Sequence, residues 1–126
     1  MSALTLTTVT LGTDDVPALA TFYAGLLGWP QPSIDPDDAT WIAVRNPAGG
    51  VGLACQYEEF HTEPDWPGQA GGAQMMAHLE IRVDDLTAGL QHALDCGARL
   101  AEFQPQDDVR VCLDPAGHPF CLWIEG

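Results

Sequence analysis

The sequence predicts an α+β fold built from two tandem β-α-β-β-β modules. Three observations carry this reading. The turn Asn46-Pro47-Ala48-Gly49 returns as Asp114-Pro115-Ala116-Gly117, each time between two apolar runs. Asp14-Asp15-Val16 returns as Asp84-Asp85-Leu86, and Gly28 returns as Gly97. The offsets between these pairs, 68, 70 and 69 residues, stay nearly constant, as a duplicated unit requires. One domain covers 1–126, with module one at about 4–60, a linker at about 61–74 and module two at about 75–126.

Each element has a local cause. Thr alternates with Leu and Val over 4–16, the period of a strand. A helix follows: Thr13, Asp14 or Asp15 can cap it, Pro17 suits its first turn, and Gly28 ends it. Leu19, Phe22, Tyr23, Leu26 and Leu27 recur on one face of that helix. Residues 30–38 form a loop, and two strands flank the Pro-Ala-Gly-Gly turn. The stretch 61–74 is rich in Gly and Pro and carries Trp66, which suits a linker, a lid or an ordinary exposed loop. Module two repeats the order, with a strand near 75–86, a helix ending near Gly97, a strand near 100–103 and a closing hairpin.

Composition limits the function. Apolar residues make up 46%, enough for a packed core. The net charge is −14, with four arginines and no lysine. Such a surface excludes nucleic acid and anionic membrane as partners. No apolar run reaches the roughly 18 residues of a membrane span, and no secretory signal pattern opens the chain, so the cytoplasm is expected. Cys55, Cys96, Cys112 and Cys121 form no C-x-x-C pair, which excludes a zinc ribbon or a thioredoxin-like motif. They read as reduced, small core residues.

The stretches TFYAGLLGW, HLEIRVDDL and DPAGHPFCLW resemble the vicinal-oxygen-chelate superfamily, which includes glyoxalase I, bleomycin-resistance proteins and extradiol dioxygenases. The likeness spans essentially the whole chain and is nearest to the small glyoxalase-like members. It implies two modules whose mixed sheets curl, half open, around a pocket. It also implies a homodimer and a small-molecule ligand. Metal-using members place a ligand on the first and on the last strand of each module. Carried over, these positions fall on Thr8 and His78, and on Leu53 and Cys121, with Cys55 in place of Leu53 if the register slips by two. Among them His78 is the expected type of ligand, and Cys121 stands where those relatives carry glutamate. A stable divalent site takes roughly three protein ligands or more. The expectation is therefore a degenerate site with no cofactor, or, if a divalent metal is present, one held by His78, Cys121 and Glu125.

Alternation along strands assigns the faces. Leu79, Ile81 and Val83 suit the helix side, which leaves His78, Glu80 and Arg82 facing a cavity. Thr8 and Thr10 join them, as do Trp41, Ala43 and Arg45, then Leu53, Cys55 and Tyr57, then Cys121, Trp123 and Glu125. Alternation alone turns Arg110 inward; its repeat partner Ile42 turns it to the helix side, and the repeat fixes the register better. The predicted substrate-binding set is thus Thr8, Thr10, Trp41, Arg45, Cys55, Tyr57, Glu80, Arg82 and Trp123. An arginine there suits a carboxylate or phosphate, or an internal partner such as Glu80. His61, His92 and His118 read as solvated. Three functions follow in order. The first is a metal-free small-molecule binder, suited by its charge to cationic drug-like ligands. The second is a metal-dependent lyase, isomerase or dioxygenase. The third is a metal-free enzyme with His78 as catalytic general base and Arg45 or Arg82 at an oxyanion.

Overall fold

Both helices begin and end on the signals legible in the chain. In the computed structural model, which describes residues 3–125, Asp15 caps α1 (Val16–Leu27) by accepting the Ala18 N–H at 3.1 Å. Asp85 caps α2 (Leu86–Cys96) by accepting the Ala88 N–H at 3.0 Å. Gly28 (φ 67°) and Gly97 (φ 118°) close the two helices in left-handed conformations that a side chain would strain. Met1, Ser2 and Gly126 lie outside the described residues. The chain divides into two compact units, 1–61 and 62–126.

The first unit sets α1 on a three-stranded sheet, β1 (Thr8–Thr13), β2 (Trp41–Val44) and β3 (Gly52–Tyr57), in the order β1-β3-β2. β1 runs parallel to β3 and β2 antiparallel. Leu19, Phe22, Tyr23 and Leu26 of α1 are buried, as are Ile42 and Val44 of β2 and Leu53 and Cys55 of β3. The register pairs Leu11 and Ile42 with Cys55, and Val9 and Val44 with Leu53, so these side chains share the helix face. Between α1 and β2 the described residues form the loop expected at 30–38 and no strand, so the fifth element of a β-α-β-β-β unit is missing here. Pro30, Pro32 and Pro36 occupy that segment, and proline cannot donate to a ladder. This module is therefore β-α-β-β.

The second unit keeps the full β-α-β-β-β order: β4 (Leu79–Arg82), α2, β5 (Arg99–Leu100), β6 (Val109–Leu113) and β7 (Pro119–Trp123). Its sheet runs β4-β7-β6-β5, with β4 parallel to β7 and the other pairs antiparallel. Cys112, Phe120 and Leu122 are buried on the helix face. Arg110 pairs with Leu122, so it lies on that face, as the repeat indicates. Its guanidinium donates to the backbone carbonyls of Asp107 and Val109. β5 is shorter than expected. Beyond it, Gln104 bonds the Ala101 carbonyl at 2.7 Å and both backbone groups of Val111 at 2.9 Å, replacing ladder bonds.

The repeated turns are alike at their start and differ in length. Asn46 Oδ1 accepts the Ala48 N–H at 2.9 Å, and Asp114 Oδ1 accepts the Ala116 N–H at 2.9 Å. Asp114 also accepts the His118 N–H at 3.0 Å and is fully buried. Between Val44 and its partner Leu53 lie residues 45–52; between Cys112 and its partner Phe120 lie 113–119. The first connection is thus one residue longer, and its counterpart offset drops from 68 to 67 beyond the turn.

Candidate functional site

That extra residue corrects two predicted site residues. An ungapped repeat matches Leu53 to Cys121, but the register matches Ala54 to Cys121. A one-residue shift exchanges the faces of a strand. Cys55 therefore packs on the helix face at 0% exposure, unable to meet a ligand on the opposite face. Tyr57 shares its parity and stands at the end of β3, exposed. Leu53, the other proposed last-strand position, is buried on the helix side too. The open face of the first sheet carries Thr8, Thr10, Trp41, Ala43, Arg45 and Ala54. None of them is a strong metal ligand.

The open face of the second sheet holds the chemistry. Glu80 lies opposite Cys121 in the parallel pair, and Arg82 lies opposite Trp123. His78, just ahead of β4, reaches along the strand, and its Nε2 lies 2.6 Å from Glu80 Oε2. One atom each from His78, Glu80 and Cys121 lies within 4.8 Å of the others. The Cys121 thiol is pushed up to about 12, first by burial, then by its hydrogen bond to Glu80 and the charge of that carboxylate. It is a neutral donor at ordinary pH. The carboxylate of Glu80 thus joins an imidazole and a thiol.

The arginine does not join this cluster. Arg82 Nη1 lies 3.1 Å from Glu125 Oε1, and both side chains are exposed. Glu80, offered as its internal partner, turns to His78 instead. Of the two glutamates on this face, Glu125 is engaged with Arg82, while Glu80 is the carboxylate beside His78 and Cys121. An imidazole, a thiol and a carboxylate form a set that suits a borderline or soft divalent ion such as zinc, provided the thiol ionises on binding.

Trp66 is the residue whose role the sequence left open. It comes from the Gly- and Pro-rich segment and packs on Ala101, Val111 and Cys121, beside Val109 and Leu113. Its indole N–H donates to the Phe103 carbonyl at 3.4 Å, and the two rings are tilted with centroids 6.4 Å apart. The open face therefore has an aliphatic floor, with Trp66 seated on it, Trp123 on the strand and the His78–Glu80 pair alongside. A large aromatic in a segment otherwise made of small and turn residues was the available signal. Of the other histidines, His61 and His118 are half-buried and His92 is exposed.

The family model for the glyoxalase-like domain matches residues 8–123. Among solved structures, the chain is similar to a glyoxalase/bleomycin resistance protein/dioxygenase family enzyme from Burkholderia phytofirmans PsJN. The identity is 18%, the alignment covers 96% of this chain and 98% of that one, and the TM-score is 0.68. A glyoxalase-related enzyme from Fulvimarina pelagi aligns at 19% identity over 94% of this chain and 86% of that one, with a TM-score of 0.64. A glyoxalase/bleomycin resistance protein from Catenulispora acidiphila aligns at 22% identity over 98% and 100%, with a TM-score of 0.59. At these identities the likeness establishes the fold. No functionally curated protein matches the sequence.

Proposed function

The chain belongs to the glyoxalase-like domain family of the vicinal-oxygen-chelate superfamily, and from that membership we propose that it binds a small molecule on the open sheet face of its second module, without a resident metal. The observation that carries the reading is the closed set His78–Glu80–Cys121. The Glu80 carboxylate pairs with the imidazole at 2.6 Å and lies beside the Cys121 thiol, which burial and that carboxylate keep protonated. Beside them stand two indoles, Trp66 and Trp123, and an aliphatic floor. Apolar walls with a few convergent polar groups suit small-molecule recognition.

Each residue has a part in binding. Trp123 and Trp66 offer faces for an aromatic or cationic group. Glu80 attracts a positive or hydrogen-bond-donating group, and His78 offers its second ring nitrogen. Arg82 and Glu125 hold each other at the rim and add little net charge. The net charge of −14 draws cations toward such a face. The ligand class is accordingly a cationic, aromatic small molecule. The reading includes a homodimer in the cytoplasm, supported by four free cysteines and by exposed Leu6, Phe60 and Met76.

A second reading rests on the approach of the three donor atoms to within 4.8 Å. A divalent ion held by His78, Glu80 and Cys121 would act as a Lewis acid on a substrate oxygen. The chain's own residues would orient that substrate against Trp123. Metal analysis of untagged protein decides between the two. We expect no stoichiometric divalent metal, and quenching of tryptophan fluorescence by cationic aromatic compounds that is weakened at least about tenfold in Trp123→Ala. One equivalent of metal, lost in His78→Ala, would overturn the first reading in favour of the second. Neither metal nor ligand-dependent quenching would overturn both.

A further inference from the structure

We propose that the first module carries a binding site for a small oxyanion group, a carboxylate or a phosphate, at Arg45 and the glycine-rich turn that follows it. The site is a cavity of about 360 Å³, lined among others by Thr7, Thr8, Arg45, Asn46, Gly50 and Gly52. Its lining residues all lie within 1–61.

The charge distribution points to an anion. The chain has 18 acidic residues and only four arginines. Arg82 lies against Glu125, Arg99 against Glu63, and Arg110 donates to backbone carbonyls. Arg45 makes no ion pair or hydrogen bond with any described residue. In so acidic a protein, an arginine without a carboxylate beside it is the exception. The cavity itself has no acidic lining residue. Three other cavities of the described residues do: Asp65 lines one, Asp84 and Asp85 a second, Asp84 and Glu125 a third.

The remaining lining supplies donors. Thr8 Oγ1 donates to Thr7 Oγ1 at 3.2 Å, which leaves the Thr7 hydroxyl proton free to point elsewhere. The Gly50 N–H has no acceptor among the described residues. Asn46 is fixed by its bonds to the Ala48 N–H and the Val51 carbonyl, which hold the turn in shape. Side chains are missing where they would intrude. A Cβ on Gly50 would come within 3.1 Å of Asn46 Nδ2, and one on Gly52 within 3.2 Å of the Val44 carbonyl. The Gly49 and Gly52 N–H groups are engaged with the Asn46 and Thr7 carbonyls, so the open donors are the Arg45 guanidinium, the Gly50 amide and a hydroxyl, a set matched to an oxyanion. The net negative charge opposes an anion at long range, but at physiological ionic strength that repulsion is screened beyond about 8 Å.

The test is amide NMR of the full chain, titrated separately with inorganic phosphate and with acetate, with sodium chloride holding ionic strength constant. We expect saturable shifts at Gly49, Gly50 and Gly52 with at least one of the two anions. They should weaken at least about tenfold in Arg45→Gln and in part in Arg45→Lys, which keeps the charge but loses the fork. Saturation by phosphate alone assigns a phosphoryl group, by acetate alone a carboxylate, and by both an oxyanion of either kind. Shifts that merely track chloride, that do not saturate, or that persist unchanged in Arg45→Gln would overturn the site. The same spectra report whether each variant is folded.

Discussion

The same residue type takes three different roles at Cys121, Cys112 and Cys96, and environment decides each. Burial raises the Cys112 thiol to about 11, while burial and Glu80 raise Cys121 to about 12. Cys96 sits half-buried on α2 and is raised by burial and by Asp95. A thiol titrating higher in the folded chain favours the folded state while it keeps its proton. That contribution is complete below the unfolded value of 9.0 and is lost as pH climbs through the folded values. Urea midpoints should therefore fall from about pH 9 upward, and the fall should be shallower in Cys121→Ala. In the native protein near pH 8, a thiol reagent should modify Cys96 first and reach Cys112 and Cys121 only on unfolding. Rapid modification of Cys121 in folded protein would contradict its neutral place beside Glu80. This behaviour could not be read from four cysteines without a C-x-x-C spacing, because Glu80 and Cys121 meet only through strand pairing.

At the scale of elements, the duplicated signals were reliable because they are local. Asp15 and Asp85 cap, Gly28 and Gly97 terminate, and Asn46 and Asp114 open the same turn. The facing of β3 was not legible, because one more residue in the first turn changes the strand's parity without changing its composition. Gly52, Leu53, Ala54 and Cys55 are all buried, so burial does not reveal the alternation either. Register does, and it can be tested. Cys55→Asp should cost several kcal/mol, since it places a charge under α1. Gln56→Asp, on the other face and exposed, should stay within about 0.5 kcal/mol. Chemical denaturation of the two variants measures the contrast, and a reversed order would refute the observed pairing.

Across the whole molecule, the excess of carboxylates sets the response to solvent. A charge of −14 on 126 residues repels itself, and the exposed pairs Arg82–Glu125 and Arg99–Glu63 offset little of it. Melting temperature should rise between about 20 and 300 mM sodium chloride, as screening relieves that repulsion. A calorimetric scan across this range, showing no rise, would mean that the charges are already locally compensated. No described helix is long and apolar enough to cross a membrane. By itself, the sequence determined the fold class, the doubled module, the helix ends and the candidate residues His78, Glu80, Arg45 and Trp123. These rest on spacing within a few residues and on composition. The tertiary structure alone decided that Glu80 lies beside His78 and Cys121 rather than Arg82, that Arg45 has no partner among the described residues, and that Trp66 seats on the second sheet. Those outcomes depend on which distant strands and loops meet, and strand pairing is set by register and packing rather than by any local run of residues.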